Sequence, residues 1–139
     1  MLQAWRIVKR RYADTAFDGE GARLHGGRWN SPGRAVVYAS ESRALATLEV
    51  LTGVQSMAVA PAYVLMGVTF DEEFVGTLLA EDLPDGWNRF PPTPASQHLG
   101  DDWLATGRSP VLRVPSVIVP GEFNYLLNPA HPRYVSCFL

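Results

Sequence analysis

The stretch GARLHGGRWNSPGRAVVYASESRALATLEVL, Gly21–Leu51, decides how the rest of the chain is read. Its first part is turn chemistry: GGRWN and SPG interrupt any regular element, so Gly19–Gly33 is expected to form one long loop. RAVVYA, Arg34–Ala39, then reads as a short strand with Val36 and Tyr38 on one face. SESRALATLEVLTG follows as the clearest helix in the chain. Ser40 or Ser42 supplies its N-cap, Glu41 suits the first turn, and Gly53 stands where a terminating glycine belongs. Ala44, Leu48 and Leu51 trace the expected buried stripe, and Glu49, four residues after Leu45, lies at its margin. A small domain needs a turn, a strand and a helix. It does not need Arg28, Tyr38 and Glu49 spaced along them.

Outward from this segment, AWRIVKR (Ala4–Arg10) alternates as an edge or first strand, with Arg6 and Val8 opposite Trp5 and Ile7. PAYVLMGVTF (Pro61–Phe70) reads as a strand. Glu81–Gly100 holds four prolines and little periodicity, which predicts an irregular surface excursion. DDWLATG (Asp101–Gly107) suits one or two helical turns. PVLRVPSVIVP (Pro110–Pro120) is strand-like but broken by Pro115, which points to a bulge or an edge position. NYLLNPAHP reads as a turn and RYVSCFL as a closing strand. Strands outnumber helices and do not alternate with them regularly, so the fold class is α+β rather than a doubly wound sheet.

The 139 residues suffice for one domain, 1–139, with a core that needs neither disulfide nor metal. A net charge of −2 gives no global field for nucleic acid or an anionic membrane. No apolar run approaches the ~20 residues of a membrane span, and MLQAWRIVKRR has its charges in the wrong order for a secretory signal. Cys137 is the one cysteine, and His25, His98 and His131 show no metal spacing, so no metal site is expected. A cytoplasmic location follows. Lys9 is the single lysine among twelve basic residues. Codon bias explains that plainly, although arginines also suit bidentate anion recognition.

Each candidate residue has a plain structural explanation beside a functional one. Glu49 is either a half-exposed salt-bridge partner or a desolvated carboxylate in a cleft. Arg28, after two glycines, either closes a loop or offers a fork to phosphate. Arg6 alone is a routine strand arginine. Tyr38 is either a core ring with a wet hydroxyl or a binding group at a sheet rim. Ser116, inside an apolar strand, needs a partner, ordinarily backbone. There is no P-loop, no dinucleotide fingerprint and no Ser-His-Asp signature.

Together the motifs are more specific. WRI, GGRWNSPGRAVVYASES, ATLEVL, VLRVPSVIVP and NYLLNPAHP, in this order from Trp5 to about Pro132, resemble the RES domain family, the toxins of RES–Xre toxin–antitoxin modules. PDGW and QHLGDDWL also match its middle portion. The resemblance implies an ADP-ribosyltransferase-like split or mixed β-sheet with few helices, and consumption of NAD+ as substrate without a metal. It places the family's arginine, glutamate and serine on Arg28, Glu49 and Ser116 as catalytic residues, with Arg6 and Tyr38 binding substrate. It implies an Xre-family helix-turn-helix antitoxin as partner in a hetero-oligomer, with no direct nucleic-acid or membrane contact.

Water, inorganic phosphate or a protein side chain remain open as acceptors: glycohydrolase, NAD+ phosphorylase or mono-ADP-ribosyltransferase. A non-catalytic partner-binding module is the alternative of another class. Cleaving the nicotinamide–ribose bond releases a cationic leaving group as neutral nicotinamide, so no general acid is needed. One carboxylate that stabilises an oxocarbenium-like ribose suffices, and Glu49 is placed for it.

Overall fold

Strands β1 (Leu2–Lys9), β2 (Val37–Ser40), β3 (Tyr63–Phe70), β4 (Val75–Thr77), β5 (Val111–Pro115) and β6 (Phe123–Leu127) form one six-stranded sheet, ordered β3-β1-β2-β6-β5-β4. The computed structural model describes residues 1–51, 62–136 and 138. Only β4 and β5 are parallel; the other neighbours are antiparallel. Helices α1 (Glu20–His25), α2 (Arg43–Leu51) and α3 (Pro94–Thr106) complete an α+β domain. Among the described residues no helix is long and apolar enough to cross a membrane.

The central strands β2, β6 and β5 are covered on both faces of the sheet. Val37, Val111, Tyr125 and Leu127 join Ala4 and Phe70 in one core, while Val36, Leu112, Val114 and Leu126 join Trp29 and Trp103 in the other. Two-sided burial explains why VVYA and YLL read as continuous apolar runs rather than alternating ones. It also makes β6 a central strand, so NYLL is ladder and the turn begins only at Asn128.

Several expectations are corrected. β1 is an interior strand, flanked by β3 and β2. The Gly19–Gly33 loop contains α1, opened by Gly19 at φ 75° with the Asp18 carboxylate accepting from the Glu20 N–H. The excursion from Glu81 ends at Thr93, where α3 begins. Pro94 occupies its first turn, where a missing N–H costs nothing, and Gly107 at φ 62° terminates it. Asp101–Thr106 is therefore the second half of a thirteen-residue helix. Pro115 neither bulges β5 nor marks an edge; it ends a strand that lies between β6 and β4. RYVSCFL forms turns over its described residues, with one isolated bridge from Phe138 to Phe70.

Helix α2 is capped by Ser42, whose hydroxyl accepts from the Leu45 N–H at 3.0 Å. Glu41 instead ties the turn to β6, accepting from the Phe123 N–H at 2.9 Å. The expected Gly53 terminator lies outside the described residues. The buried stripe differs from expectation: Leu45 and Ala46 face the sheet, while Leu48 is 42% exposed. Glu49, one turn beyond Leu45 and Ala46, is thereby carried toward the sheet rather than along its margin.

Candidate active site

The site begins where the sheet opens. β1 and β2 are paired only at Trp5↔Ser40, whereas β1 follows β3 through eight residues. Arg6 fills the opening. Its Nη1 donates to the Tyr38 carbonyl at 2.9 Å and its Nε to the Ala16 carbonyl at 2.8 Å. Burial pulls the guanidinium pKa below its ordinary value, with Tyr134 and Asp18 opposing the shift. An arginine remains cationic through such a shift, so a desolvated positive charge stands inside the sheet.

Two cavities meet at this point. One of about 400 Å³ is walled by Arg6, Arg28, Trp29, Tyr38, Glu49 and Phe90 among others. One of about 150 Å³, bounded by Trp5, Ile7 and Val50, shares Arg6, Tyr38, Glu49 and Asn124 with it. Glu49 therefore stands on the partition between them.

Its carboxylate is held firmly. Glu49 Oε1 accepts from Asn124 Nδ2 at 2.7 Å and from the Ser116 hydroxyl at 3.3 Å. Asn124 Oδ1 in turn accepts from the Ser40 hydroxyl at 2.7 Å, across the β2–β6 register pair Ser40↔Asn124. Ser116 Oγ also accepts from the N–H groups of Ile118 and Val119, both at 3.1 Å. Ser116 is buried behind the wall, which is formed by Pro115, Val117 and Ile118. It orients the carboxylate and the turn after β5.

Arg28 borders the larger cavity. Its Nη1 donates to the Trp87 and Arg89 carbonyls at 2.9 and 2.8 Å, and its guanidinium lies 4.6 Å from the Phe90 ring centroid. Burial lowers its pKa most, and the Glu49 charge partly restores it. The backbone around it is fastened to α3. Ser96 Oγ donates to the Arg28 carbonyl at 2.8 Å, Gln97 Nε2 to the Gly27 carbonyl at 3.0 Å, and the Ser31 hydroxyl to Asp101 at 2.6 Å.

Tyr38 presents its ring to both cavities, but its hydroxyl is engaged elsewhere. It donates to Asn30 Oδ1 at 2.6 Å and accepts from the Trp29 N–H at 3.0 Å. Burial raises the phenol pKa well above its ordinary value. Tyr38→Phe is expected to cost about 2 kcal/mol in urea unfolding, because a buried carbonyl of Asn30 and a buried N–H lose their partner. The sign with pH follows. A raised folded pKa gives stabilisation that is full below the unfolded value of 10.0 and lost as pH rises through the folded value. The gap between wild type and Tyr38→Phe should therefore close above pH 10.0.

The structure thus brings Arg6, Arg28, Tyr38 and Glu49 to one cleft and places Ser116 directly behind Glu49. Sequence reasoning missed Asn124, Ser40 and Phe90. Asn124 lies in NYLLNPAHP, which reads as a turn, and Phe90 in Glu81–Gly100, which reads as an irregular surface excursion.

The molecule is an α+β domain whose mixed sheet opens into a cleft lined by two arginines, Arg6 and Arg28, and a carboxylate, Glu49. The chain belongs to the RES domain family, whose model matches residues 3–138. It is 35% identical over 136 residues to Toxin Res of Yersinia enterocolitica, covering 98% of this chain and 90% of that protein. It is 40% identical over 133 residues to the Prs ADP-ribosylating toxin of a Sphingobium species, covering 92% and 83%. A chain of the crystal structure of the M. tuberculosis MbcT-MbcA toxin-antitoxin complex shares the fold, with a TM-score of 0.75 at 21% identity, over 91% of this chain and 73% of that one.

Proposed function

We propose that this protein is the NAD+-consuming toxin of a toxin–antitoxin module and cleaves the nicotinamide–ribose bond. The observation that carries this reading is the Glu49 carboxylate, fixed by Asn124 and Ser116 on the partition between two cavities, both bordered by Arg6 and the larger one also by Arg28. Glu49 would stabilise the oxocarbenium-like ribose while the bond electrons pass to nicotinamide and neutralise its ring. Arg28 and Arg6 would face the pyrophosphate, or an inorganic phosphate acceptor. The Tyr38 ring would line the nicotinamide side, and Ser116 would act through Glu49.

The names of the relatives support a toxin, and one of them supports ADP-ribosylation as a second reading. An Xre-family helix-turn-helix antitoxin is the proposed partner, in a hetero-oligomer acting in the cytoplasm. With a net charge of −2, contact with DNA belongs to that partner.

Incubation with NAD+, with and without inorganic phosphate, and product analysis by mass tests the reading. Nicotinamide plus ADP-ribose in both samples identifies hydrolysis. A product heavier by phosphate, with a phosphate-dependent rate, identifies phosphorolysis. Labelled ADP-ribose on protein identifies transfer. Absence of nicotinamide under all conditions, with the antitoxin removed, would leave only the non-catalytic module.

A further inference from the structure

Phe90 belongs to the wall of the larger cavity yet is 70% exposed, whereas Trp29 in the same wall is 3% exposed. An aromatic ring left open at the rim of a polar cleft costs hydrophobic free energy unless something flat covers it. The ring is also held in place. Arg28 stacks on it at 4.6 Å, and Arg28 is itself tied to the carbonyls of Trp87 and Arg89, on the same loop. The platform is therefore pre-ordered by the residue that the proposed reaction assigns to pyrophosphate, and binding on it freezes little side-chain entropy.

The other groups of the cleft complete the argument. Glu49 borders both cavities, while Arg28 and Phe90 border the larger one, with the Arg28 guanidinium over the Phe90 ring. A dinucleotide offers one part for each of the three: the ribose to be cleaved, the pyrophosphate and the purine. The nicotinamide ring, on the far side of the scissile bond, matches the cavity of about 150 Å³ lined by Trp5, Ile7 and Tyr38.

Resting on the NAD+ reading above, we infer that Arg28 and Phe90 form a purine subsite, and that Phe90 makes the site select a dinucleotide over nicotinamide mononucleotide. The adenine stacks on the exposed part of the Phe90 ring while the guanidinium serves the phosphates.

The test compares NAD+ with nicotinamide mononucleotide, which has the scissile bond but no adenylate, in wild type, Phe90→Ala and Phe90→Trp. Phe90→Ala is expected to lower the ratio of kcat/KM for NAD+ over the mononucleotide about tenfold, through KM for NAD+, as loss of one base–aromatic stack does. Phe90→Trp should keep the ratio near wild type. An unchanged ratio in Phe90→Ala, or equal losses on both substrates, overturns the subsite. If wild type consumes neither substrate, the catalytic reading fails on its own. Calorimetry with AMP then decides the subsite: weakening of about tenfold in Phe90→Ala supports it. Equal affinity, or no binding to wild type, overturns it.

Discussion

Glu49→Gln is expected to reduce kcat for NAD+ cleavage by about a thousandfold, roughly 4 kcal/mol of transition-state stabilisation, while KM changes by no more than about threefold. The hydrogen bonds from Asn124 and Ser116 end on Oε1, an oxygen that glutamine can retain. The substitution keeps the side chain's shape and removes its charge. In the proposed mechanism the arginines carry most of the ground-state binding through the pyrophosphate. The Glu49 charge matters most when positive charge develops on the ribose. Steady-state kinetics with NAD+ over a range of concentrations separates the two parameters. Wild-type kcat in Glu49→Gln would falsify the proposed mechanism. A rise in KM at constant kcat would reassign Glu49 to ligand binding.

Much of this site was legible in the sequence, but unevenly. Glu49 was legible as a carboxylate on a helix because RALATLEVL has strong helical character. Its direction was not, since Ala44–Leu48–Leu51 and Leu45–Ala46 are both apolar sets and only packing against β1 and β2 selects the second. Arg6 and Arg28 were legible as residues, but their anchors are not local. The carbonyls of Trp87 and Arg89 lie some sixty positions from Arg28, and no periodicity encodes that separation. Helix α3 was hidden by its own composition. Pro91, Pro92, Pro94 and Gly100 all read as breakers, yet Pro94 sits in the first turn and Gly100 serves a contact. Asn124 was passed over because NYLLNP reads as turn chemistry. In the fold its first four residues are paired in the middle of the sheet.

The helix glycines give a prediction whose sign differs between two positions. A Cβ on Gly100 would lie 1.7 Å from the Trp29 carbonyl oxygen and 2.7 Å from its carbonyl carbon. Those are backbone atoms of a buried residue, so they cannot rotate away as a side chain could. Helix propensity alone favours Gly100→Ala by about 1 kcal/mol. The clash is larger and decides the outcome. Relieving it requires α3 to move off the Gly27–Ser31 segment, with loss of the bonds that Ser96 and Gln97 donate and that Asp101 accepts from Ser31. Gly100→Ala should therefore lose about 3 kcal/mol or more in urea unfolding. It should also weaken NAD+ turnover, since the displaced segment carries Arg28. Gly21 in α1 provides the opposite case. Nothing lies within 4 Å of a Cβ there and its φ is ordinary, so Gly21→Ala should gain about 0.5–1 kcal/mol. Equal unfolding midpoints for Gly100→Ala and wild type would mean that α3 does not rest on Trp29, and the account of how Arg28 is positioned would fall with it.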